Sequence, residues 1–229
     1  MLLSHPTDGW ILVDVGPGEK DPPVMEVGPL RGRSSLIRDL RELGVGAKDI
    51  GTVVLTHLYA DHAGGATYAT YSGRVMPTFP NAQYMVQREA WEEACHPNER
   101  ADDVHRSENF LPIDERGQLE LLDGDSEIFP GLNVVVTDGH ALGHQMVMFN
   151  HGGERVVFLG DIVPTPHHLN LVAISAFDSS PEVTLEQKKE LLNQAERQGW
   201  LLVFSHGHDI RAGYLERRGE MGFLRPVDL

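Results

Sequence analysis

The sequence contains few cysteines and few basic residues, and both scarcities exclude particular classes of protein. Its 229 residues include a single cysteine, Cys95, so no disulfide can form within the chain and no thiolate cluster can bind a metal. Lysine and arginine number only 19 against 34 aspartates and glutamates, which gives a formal charge of −15. Because such a surface repels phosphate backbones and anionic lipids, we expect no nucleic-acid partner and no membrane partner.

Long apolar runs are also missing. Nothing approaches the roughly 20 consecutive apolar residues of a membrane-spanning helix. Residues 1–16 lack the basic start and apolar core of a signal peptide, and with one cysteine we expect a cytoplasmic protein. Apolar residues make up 41% of the chain, enough for a substantial core. A small neutral or cationic substrate suits such an acidic globular protein best.

The sequence does contain a series of short β-branched runs, most of which end in Gly, Asp or His. They are WILVDVG (10–16), TVVLTH (52–57), AQYMVQ (82–87), LNVVVTDGH (132–140), QMVMFNH (145–151), RVVFLGD (155–161) and LLVFSH (201–206). Runs of this kind predict strands, and the polar residues that close them predict loops with functional side chains at the strand ends.

Helical patterns lie between these strands. Residues 34–45 follow a serine cap and carry one apolar stripe, residues 184–199 open with a capping box, and residues 88–94 predict a shorter helix. Hairpin signals mixed with strand–helix units predict one α/β domain over residues 1–229, with mixed sheets and helices outside. Residues 95–130 are expected to hold less regular structure.

The stretch THLYADHAGG, residues 56–65, places two histidines and an aspartate directly after a buried strand. If strand geometry continues for a few residues, His57 and Tyr59 project to the same side, and Asp61 and His62 follow as the chain turns into a helix. Converging lone pairs favour a metal ion. The pattern alone is also compatible with a capping aspartate and two partly exposed histidines.

Four further polar residues stand at predicted strand ends. Asp14 closes ILVD, Asp161 closes VVFLGD, His206 closes LLVFSH and His144 immediately precedes a strand. Open α/β sheets place their chemistry at such ends. Imidazoles combined with carboxylates suit zinc, manganese or iron, so the sequence predicts a metal site built from these residues and the first motif.

In this order, the motifs ILVDVG, THLYADHAGG, GHALGH, FLGD and FSHGHD resemble those of the metallo-β-lactamase superfamily across residues 14–208. The sequence around them is most similar to the lactonase-like hydrolases of that superfamily. The resemblance implies a four-layer αβ/βα sandwich, with two mixed central sheets and helices outside. It also implies a metal-dependent hydrolase that uses metal-bound hydroxide to cleave a lactone or another small ester-like bond.

The resemblance further implies a role for each motif residue. The implied ligands are His57 and His144 at a first metal site, Asp61, His62 and His206 at a second, and Asp161 as a bridge. One or two zinc ions are the expected cofactor, with iron or manganese as alternatives. Asp61 would also orient the nucleophile as a catalytic residue, and Asp14 would support the motif loop by hydrogen bonds. For His140 we expect a structural hydrogen bond.

The later motifs leave alternatives open. His206 follows its strand directly and is the expected ligand, but a shift of two positions would select His208. His168 follows Asp161 closely enough to reach a substrate, although an exposed loop residue is equally compatible. His105 lies outside every motif and is expected at the surface.

Tyr59 stands where the superfamily pattern H-x-H-x-D-H has its second histidine. A phenol with a pKa of about 10 is a poor zinc ligand unless the metal displaces its proton. We therefore expect a first site that is weak or empty, and lower activity than in a dinuclear relative. A tyrosinate that ligates a harder metal is the alternative.

Two rival functions stay open. His57, His144 and Asp161 would also form the two-histidine, one-carboxylate set of non-haem iron oxygenases, as in the persulfide dioxygenases of the same superfamily. The other rival is a degenerate metal-binding protein in which Tyr59 marks the decay of the site. Retention of the remaining motif residues counts against decay.

The start of the sequence bears on assembly. Ten residues precede Ile11, where superfamily members usually have one or two strands. A first sheet without that edge would expose backbone donors and acceptors. We expect either a trimmed sheet or a partner subunit that covers the edge, and the second case predicts a homodimer.

Overall fold

The computed structural model describes residues 1–20, 35–218 and 221–228. The chain divides into two compact units, Met1–Leu122 and Asp123–Leu229. Each unit has its own sheet. That the two form one domain stays a prediction. The first residue of the helix predicted to begin at position 34 lies outside the described residues.

The strands of the first unit form one five-stranded sheet and one small hairpin. They are β1 Leu2–His5, β2 Gly9–Val13, β3 Ile50–Val54, β4 Thr67–Ala69, β5 Val75–Pro77, β6 Gln83–Gln87 and β7 Leu119–Leu122. The sheet order is β1-β2-β3-β6-β7, and β4 pairs with β5. β1 pairs antiparallel with β2, whereas β2, β3, β6 and β7 are parallel neighbours, so the sheet is mixed.

Helices cover the apolar side chains of this sheet. They are α1 Leu36–Glu42, α2 Ala60–Ala63, α3 Arg88–Cys95 and α4 Leu111–Asp114. Leu12, Val53 and Val86, from three parallel strands, lie in one buried cluster with Leu40 of α1 and Ala90 of α3. Parallel strands that are covered by helices carry continuous apolar runs, which is why the sequence signals of β2, β3 and β6 are strong.

The second unit holds a seven-stranded sheet. Its strands are β8 Ser126–Phe129, β9 Leu132–Val136, β10 Gln145–His151, β11 Glu154–Phe158, β12 Leu201–Val203, β13 Ala212–Arg218 and β14 Met221–Val227. The order is β14-β13-β12-β11-β10-β9-β8. β11 and β12 pair in parallel and the other neighbours pair antiparallel, so this sheet is mixed as well.

Helix α5, Pro181–Gln198, makes the crossover between the parallel strands β11 and β12. Its Leu191 packs in one buried cluster with Val157 of β11. The helix begins three residues before the capping-box position predicted at 184, because Pro181 suits the first turn. It ends at Gly199, which adopts φ +66° and closes the last turn in the left-handed conformation.

The predicted α/β class with mixed sheets and helices is confirmed. The segment 95–130, expected to be less regular, contains α4, β7 and β8. β1 precedes β2 and pairs with it, so the first sheet has the edge strand that the sequence left in question. The homodimer stays a prediction. Within the described ranges, no helix combines the length and apolar character needed to cross a bilayer.

Tyr84 of β6 is a buried, hydrogen-bonded side chain whose contribution to the stability of the first unit can be measured. Its hydroxyl donates to the Ala66 carbonyl at 3.0 Å and accepts the Phe79 N–H at 3.1 Å. Burial raises the pKa of the phenol, so it stays protonated. We expect Tyr84→Phe to lower the free energy of unfolding in urea by about 1–3 kcal/mol, because it leaves the buried Phe79 N–H without its partner. The Ala66 carbonyl would lose one of its two hydrogen bonds and keep the one from the Thr78 N–H.

The matched control is Tyr71→Phe, at a fully exposed position, which should change stability by less than about 0.5 kcal/mol. Equal stability of the two variants would contradict the role of the Tyr84 hydroxyl.

Candidate metal centre

Asp14, at the end of β2, organises the polar residues of the first unit. Its carboxylate accepts hydrogen bonds from the Thr56 N–H at 2.8 Å, the Thr56 hydroxyl at 2.9 Å and His62 Nδ1 at 2.7 Å. The residue adopts φ +53°, in the left-handed region that is costly for a non-glycine residue. Because the carboxylate accepts a hydrogen bond from the Nδ1–H of His62, the lone pair of that ring is on Nε2.

The two glycines of THLYADHAGG let this loop approach the backbone that follows Asp14. A Cβ on Gly64 would lie 2.1 Å from the Pro17 carbonyl oxygen, and one on Gly65 would lie 2.3 Å from that of Val15. The Val15 N–H donates to the His62 carbonyl at 2.9 Å. The glycines are therefore required by close packing of backbone on backbone, which fixes the end of α2 against the residues that follow β2.

The predicted residues of the first motif lie together. His57 is fully buried, its Nδ1 shares a hydrogen bond with the Thr56 hydroxyl at 2.9 Å, and its ring centroid lies 4.3 Å from that of His62. His62 Nε2 lies 3.6 Å from the exposed Asp61 carboxylate. Tyr59 packs edge-on against His57, with ring centroids 4.7 Å apart.

On its other side, Tyr59 contacts His105, which the sequence placed at the surface. The ring centroids of these two residues are 5.1 Å apart, and their backbones form an isolated bridge. His105 is buried, and its Nε2 lies 3.9 Å from Glu93 Oε2. Burial lowers the pKa of His105, opposed by its hydrogen bond to the Leu58 carbonyl. The surface expectation was wrong because no local pattern marks a histidine that a distant loop covers.

Asp161, just after β11, is the corresponding centre of the second unit. Its Oδ1 accepts the Ser205 hydroxyl at 2.7 Å, and its Oδ2 lies 3.3 Å from His206 Nε2 and 3.6 Å from His140 Nε2. Ser205 and His206 follow β12. Because β11 and β12 are parallel neighbours, their carboxyl ends lie at one edge of the sheet and bring these side chains together.

The contacts of the two histidines of GHALGH decide which of them can serve as a metal ligand. His144 is fully buried, its Nδ1 shares a hydrogen bond with the Thr137 hydroxyl at 2.6 Å, and its Nε2 accepts the Asp161 N–H at 2.9 Å. Both ring nitrogens are thus engaged within the protein. We therefore revise the expectation that His144 is a ligand, since the imidazole that faces the Asp161 carboxylate is His140. The sequence could not distinguish His140 from His144, because the two histidines lie four residues apart in one loop.

The other predicted histidines, His206, His208 and His168, differ in how far they are exposed to solvent. His208 is almost fully exposed and lies 3.3 Å from the Asp209 carboxylate, whereas His206 faces Asp161. His168 lies half-buried in a short turn, where its Nδ1 shares a hydrogen bond with the Thr165 hydroxyl at 2.8 Å. Burial, together with the Lys188 ammonium, lowers the pKa of His168, so its ring is neutral at pH 7.

The donor atoms in each unit fit a divalent metal. Two ligands of a tetrahedral zinc ion, each 2.0–2.2 Å from the metal, are about 3.3–3.6 Å apart. The His62–Asp61 pair, at 3.6 Å, and the His206–Asp161 pair, at 3.3 Å, have this spacing. Imidazole and carboxylate donors without thiolates suit zinc, manganese or iron.

Known proteins with similar sequences include two lactonases. The N-acyl homoserine lactonase AiiA of Bacillus thuringiensis subsp. kurstaki is 27% identical over 177 residues, which cover 76% of this chain and 62% of AiiA. The N-acyl homoserine lactonase AttM of Azorhizobium caulinodans is 30% identical over 186 residues, which cover 79% of this chain and 66% of AttM. The chain thus spans less than two thirds of the length of AiiA.

The fold is similar to that of a probable metal-dependent hydrolase from Staphylococcus aureus. The TM-score is 0.83 at 27% sequence identity, over 96% of this chain and 79% of that one. The sequence model of the metallo-beta-lactamase superfamily matches residues 1–206, a range that contains every proposed ligand. This match confirms the resemblance seen in the motifs. The chain belongs to the metallo-β-lactamase superfamily.

Proposed function

We propose that this chain is a metal-dependent hydrolase that cleaves a lactone or another small ester-like bond. The observation that carries the proposal is the convergence of His206 Nε2 and His140 Nε2 on Asp161 Oδ2, at 3.3 and 3.6 Å, on motif positions of a hydrolase superfamily. The names of AiiA and AttM support a lactone as the substrate class. N-acyl homoserine lactones are therefore the first substrates to test.

We propose six ligands for the metal centre. They are His57, Asp61 and His62 from the first unit and His140, Asp161 and His206 from the second. Membership of the superfamily supports their joint action. Zinc is the proposed ion, since the donors are borderline imidazole nitrogens and carboxylate oxygens.

When bound, a divalent cation lowers the pKa of water from about 15.7 to about 7 and polarises a carbonyl group. The residues of the chain prepare both effects. Asp14 fixes the tautomer of His62 by accepting its Nδ1 proton at 2.7 Å. The Ser205 hydroxyl donates to Asp161 Oδ1 at 2.7 Å, which leaves Oδ2 toward the imidazoles.

Asp61 is the proposed catalytic residue. Its carboxylate is half exposed, so it can accept a hydrogen bond from the attacking water and orient it. In the reaction, the water oxygen bonds to the acyl carbon, the ester C–O bond breaks, and the departing alkoxide takes up a proton. The product of lactone opening is a hydroxy acid.

We further propose that the first metal site, with His57 and His140, binds more weakly than the second. Tyr59 occupies the place of an imidazole and is buried between the rings of His57 and His105. A neutral phenol offers a weaker donor than imidazole to a borderline metal. The site therefore has one ligand fewer than the superfamily pattern provides.

The first test combines metal analysis with lactone hydrolysis. We expect about one equivalent of tightly bound zinc, ring opening of an N-acyl homoserine lactone, and recovery of activity when zinc returns to the apoprotein. His206→Gln should lower kcat/KM by more than about 100-fold, since losing an outer-shell partner alone costs about 10–100-fold. His208→Gln, two positions away and exposed, is the matched control and should be unchanged.

Iron with oxygen consumption would overturn the proposal in favour of an oxygenase, and absence of any metal would favour a degenerate protein. Equal activity of the two histidine variants would overturn the assignment of His206.

The second test restores the superfamily residue at position 59. Tyr59→His should raise bound zinc toward two equivalents and increase kcat/KM, because it supplies the missing imidazole to the first site. The measurement is a zinc titration of the apoprotein followed by rate and by equivalents bound. Tyr68→His, at an exposed position of β4, is the control and should change neither. An unchanged zinc count in Tyr59→His would show that the tyrosine does not limit the first site.

A further inference from the structure

His140 and the preceding Gly139 are held by the three residues that lead into α5. The Ser179 N–H donates to the His140 carbonyl at 2.9 Å, and the Ser180 N–H donates to the Gly139 carbonyl at 2.7 Å. The side chain is fixed as well, since His140 Nδ1 lies 2.9 Å from Asp178 Oδ1. A carboxylate carries no proton, so Nδ1 is the donor in this hydrogen bond.

The segment before His140 lies directly on the start of α5. Gly139 adopts φ +91°, and a Cβ at this position would lie 2.6 Å from Thr184 Oγ1 and 2.7 Å from the Thr184 backbone nitrogen. No larger residue fits without moving the helix or the loop. The position of His140 therefore depends on the position of α5.

Asp178 is itself buried and held by α5. The Thr184 hydroxyl donates to Asp178 Oδ2 at 2.7 Å. Lys188, one turn further along the same face, is fully buried, and its Nζ donates to the carbonyl oxygens of Asn170 at 3.0 Å and Ala173 at 2.7 Å. These bonds fix the loop that carries Asp178 onto the helix.

The cluster holds two buried groups of opposite charge, the Lys188 ammonium and the Asp178 carboxylate. Burial lowers the pKa of the Lys188 amine, and the Asp178 carboxylate acts in the opposite direction. A buried carboxylate is tolerated where hydrogen bonds and a nearby cation compensate its desolvation. The hydroxyl of Thr184, the imidazole N–H of His140 and the Lys188 ammonium supply that compensation.

We propose that Asp178 is a positioning residue for the metal centre. Asp178 holds His140 in the Nδ1–H tautomer, so that the lone pair of Nε2 is directed to the metal. The inference rests on the proposed function, because it takes His140 as a ligand. Its geometric basis is the position of His140 Nε2, which lies 3.6 Å from Asp161 Oδ2. Histidines that bind metals commonly donate their other ring N–H to a carboxylate, which raises the basicity of the ligand.

The first measurement needs no metal. Nitrogen-15 NMR of the apoprotein reports the tautomer of each imidazole, and the His140 signals are assigned by their loss in His140→Gln. We expect the Nδ1–H form in the wild type and a shift toward the Nε2–H form in Asp178→Ala. Asp178→Asn should retain the Nδ1–H form, because the amide oxygen can accept the same proton and the amide N–H can face the Thr184 hydroxyl.

The second measurement is zinc affinity, by competition with a chromophoric chelator. Asp178→Ala should weaken binding by about 10–100-fold. Thr184→Val keeps the shape of the side chain and removes its hydroxyl, and it should weaken zinc binding by about 2–10-fold. This variant replaces Asp178→Ala in the experiment if the alanine variant does not fold. The matched control is Asp125→Ala, whose exposed carboxylate accepts the Val136 N–H at 2.8 Å in the same unit, and it should change neither tautomer nor affinity.

The outcomes separate this inference from the proposed function. A wild type that binds no zinc would overturn the proposed function, and the inference with it, whatever the tautomer. A wild type that binds zinc with an Asp178→Ala variant of equal affinity and unchanged tautomer would overturn the inference alone. Loss of thermal stability in that variant with the tautomer and the affinity unchanged would assign Asp178 a purely structural role, which also overturns it.

Discussion

A buried carboxylate that accepts a hydrogen bond from the Nδ1–H of a histidine is the interaction on which the candidate metal ligands of each unit depend. Asp14 does this for His62 at 2.7 Å, and Asp178 does it for His140 at 2.9 Å. Each hydrogen bond selects one tautomer and so decides which ring nitrogen keeps a lone pair. The chemistry of the imidazoles is thus set by residues that need not touch a metal or a substrate.

Holding these carboxylates requires backbone positions that few residues can adopt. Asp14 lies at φ +53°, which is costly for a non-glycine residue, and such a conformation persists only where the surrounding structure fixes it. Gly139, beside His140, lies at φ +91°, which glycine adopts readily, and it has no room for a side chain against Thr184. The end of β2 therefore fixes the first position, and the start of α5 fixes the second.

The sequence predicted what depends on local pattern and missed what depends on distant contacts. Asp14, Asp161 and His206 were found because each closes an apolar run, and parallel pairing brings such ends together. The choice between His140 and His144 instead depends on Asp178 and Thr137, which no spacing within GHALGH reveals. In the fold, the buried parallel strands were predicted, whereas β13 and β14 were missed because charged residues interrupt their apolar pattern.

Under the proposed function, Tyr59 is the side chain that would set the occupancy of the first metal site. The residue is 6% exposed and its ring lies edge-on to His57 and His105, so a phenolate there would be poorly solvated. A buried phenol ionises only where a nearby cation compensates the lost hydration. A phenol in this position would need a tightly held metal in order to ionise, and a neutral phenol would not hold one tightly. Under the proposed function, this mutual dependence keeps the first site weak and leaves the ligands of the second site unaffected.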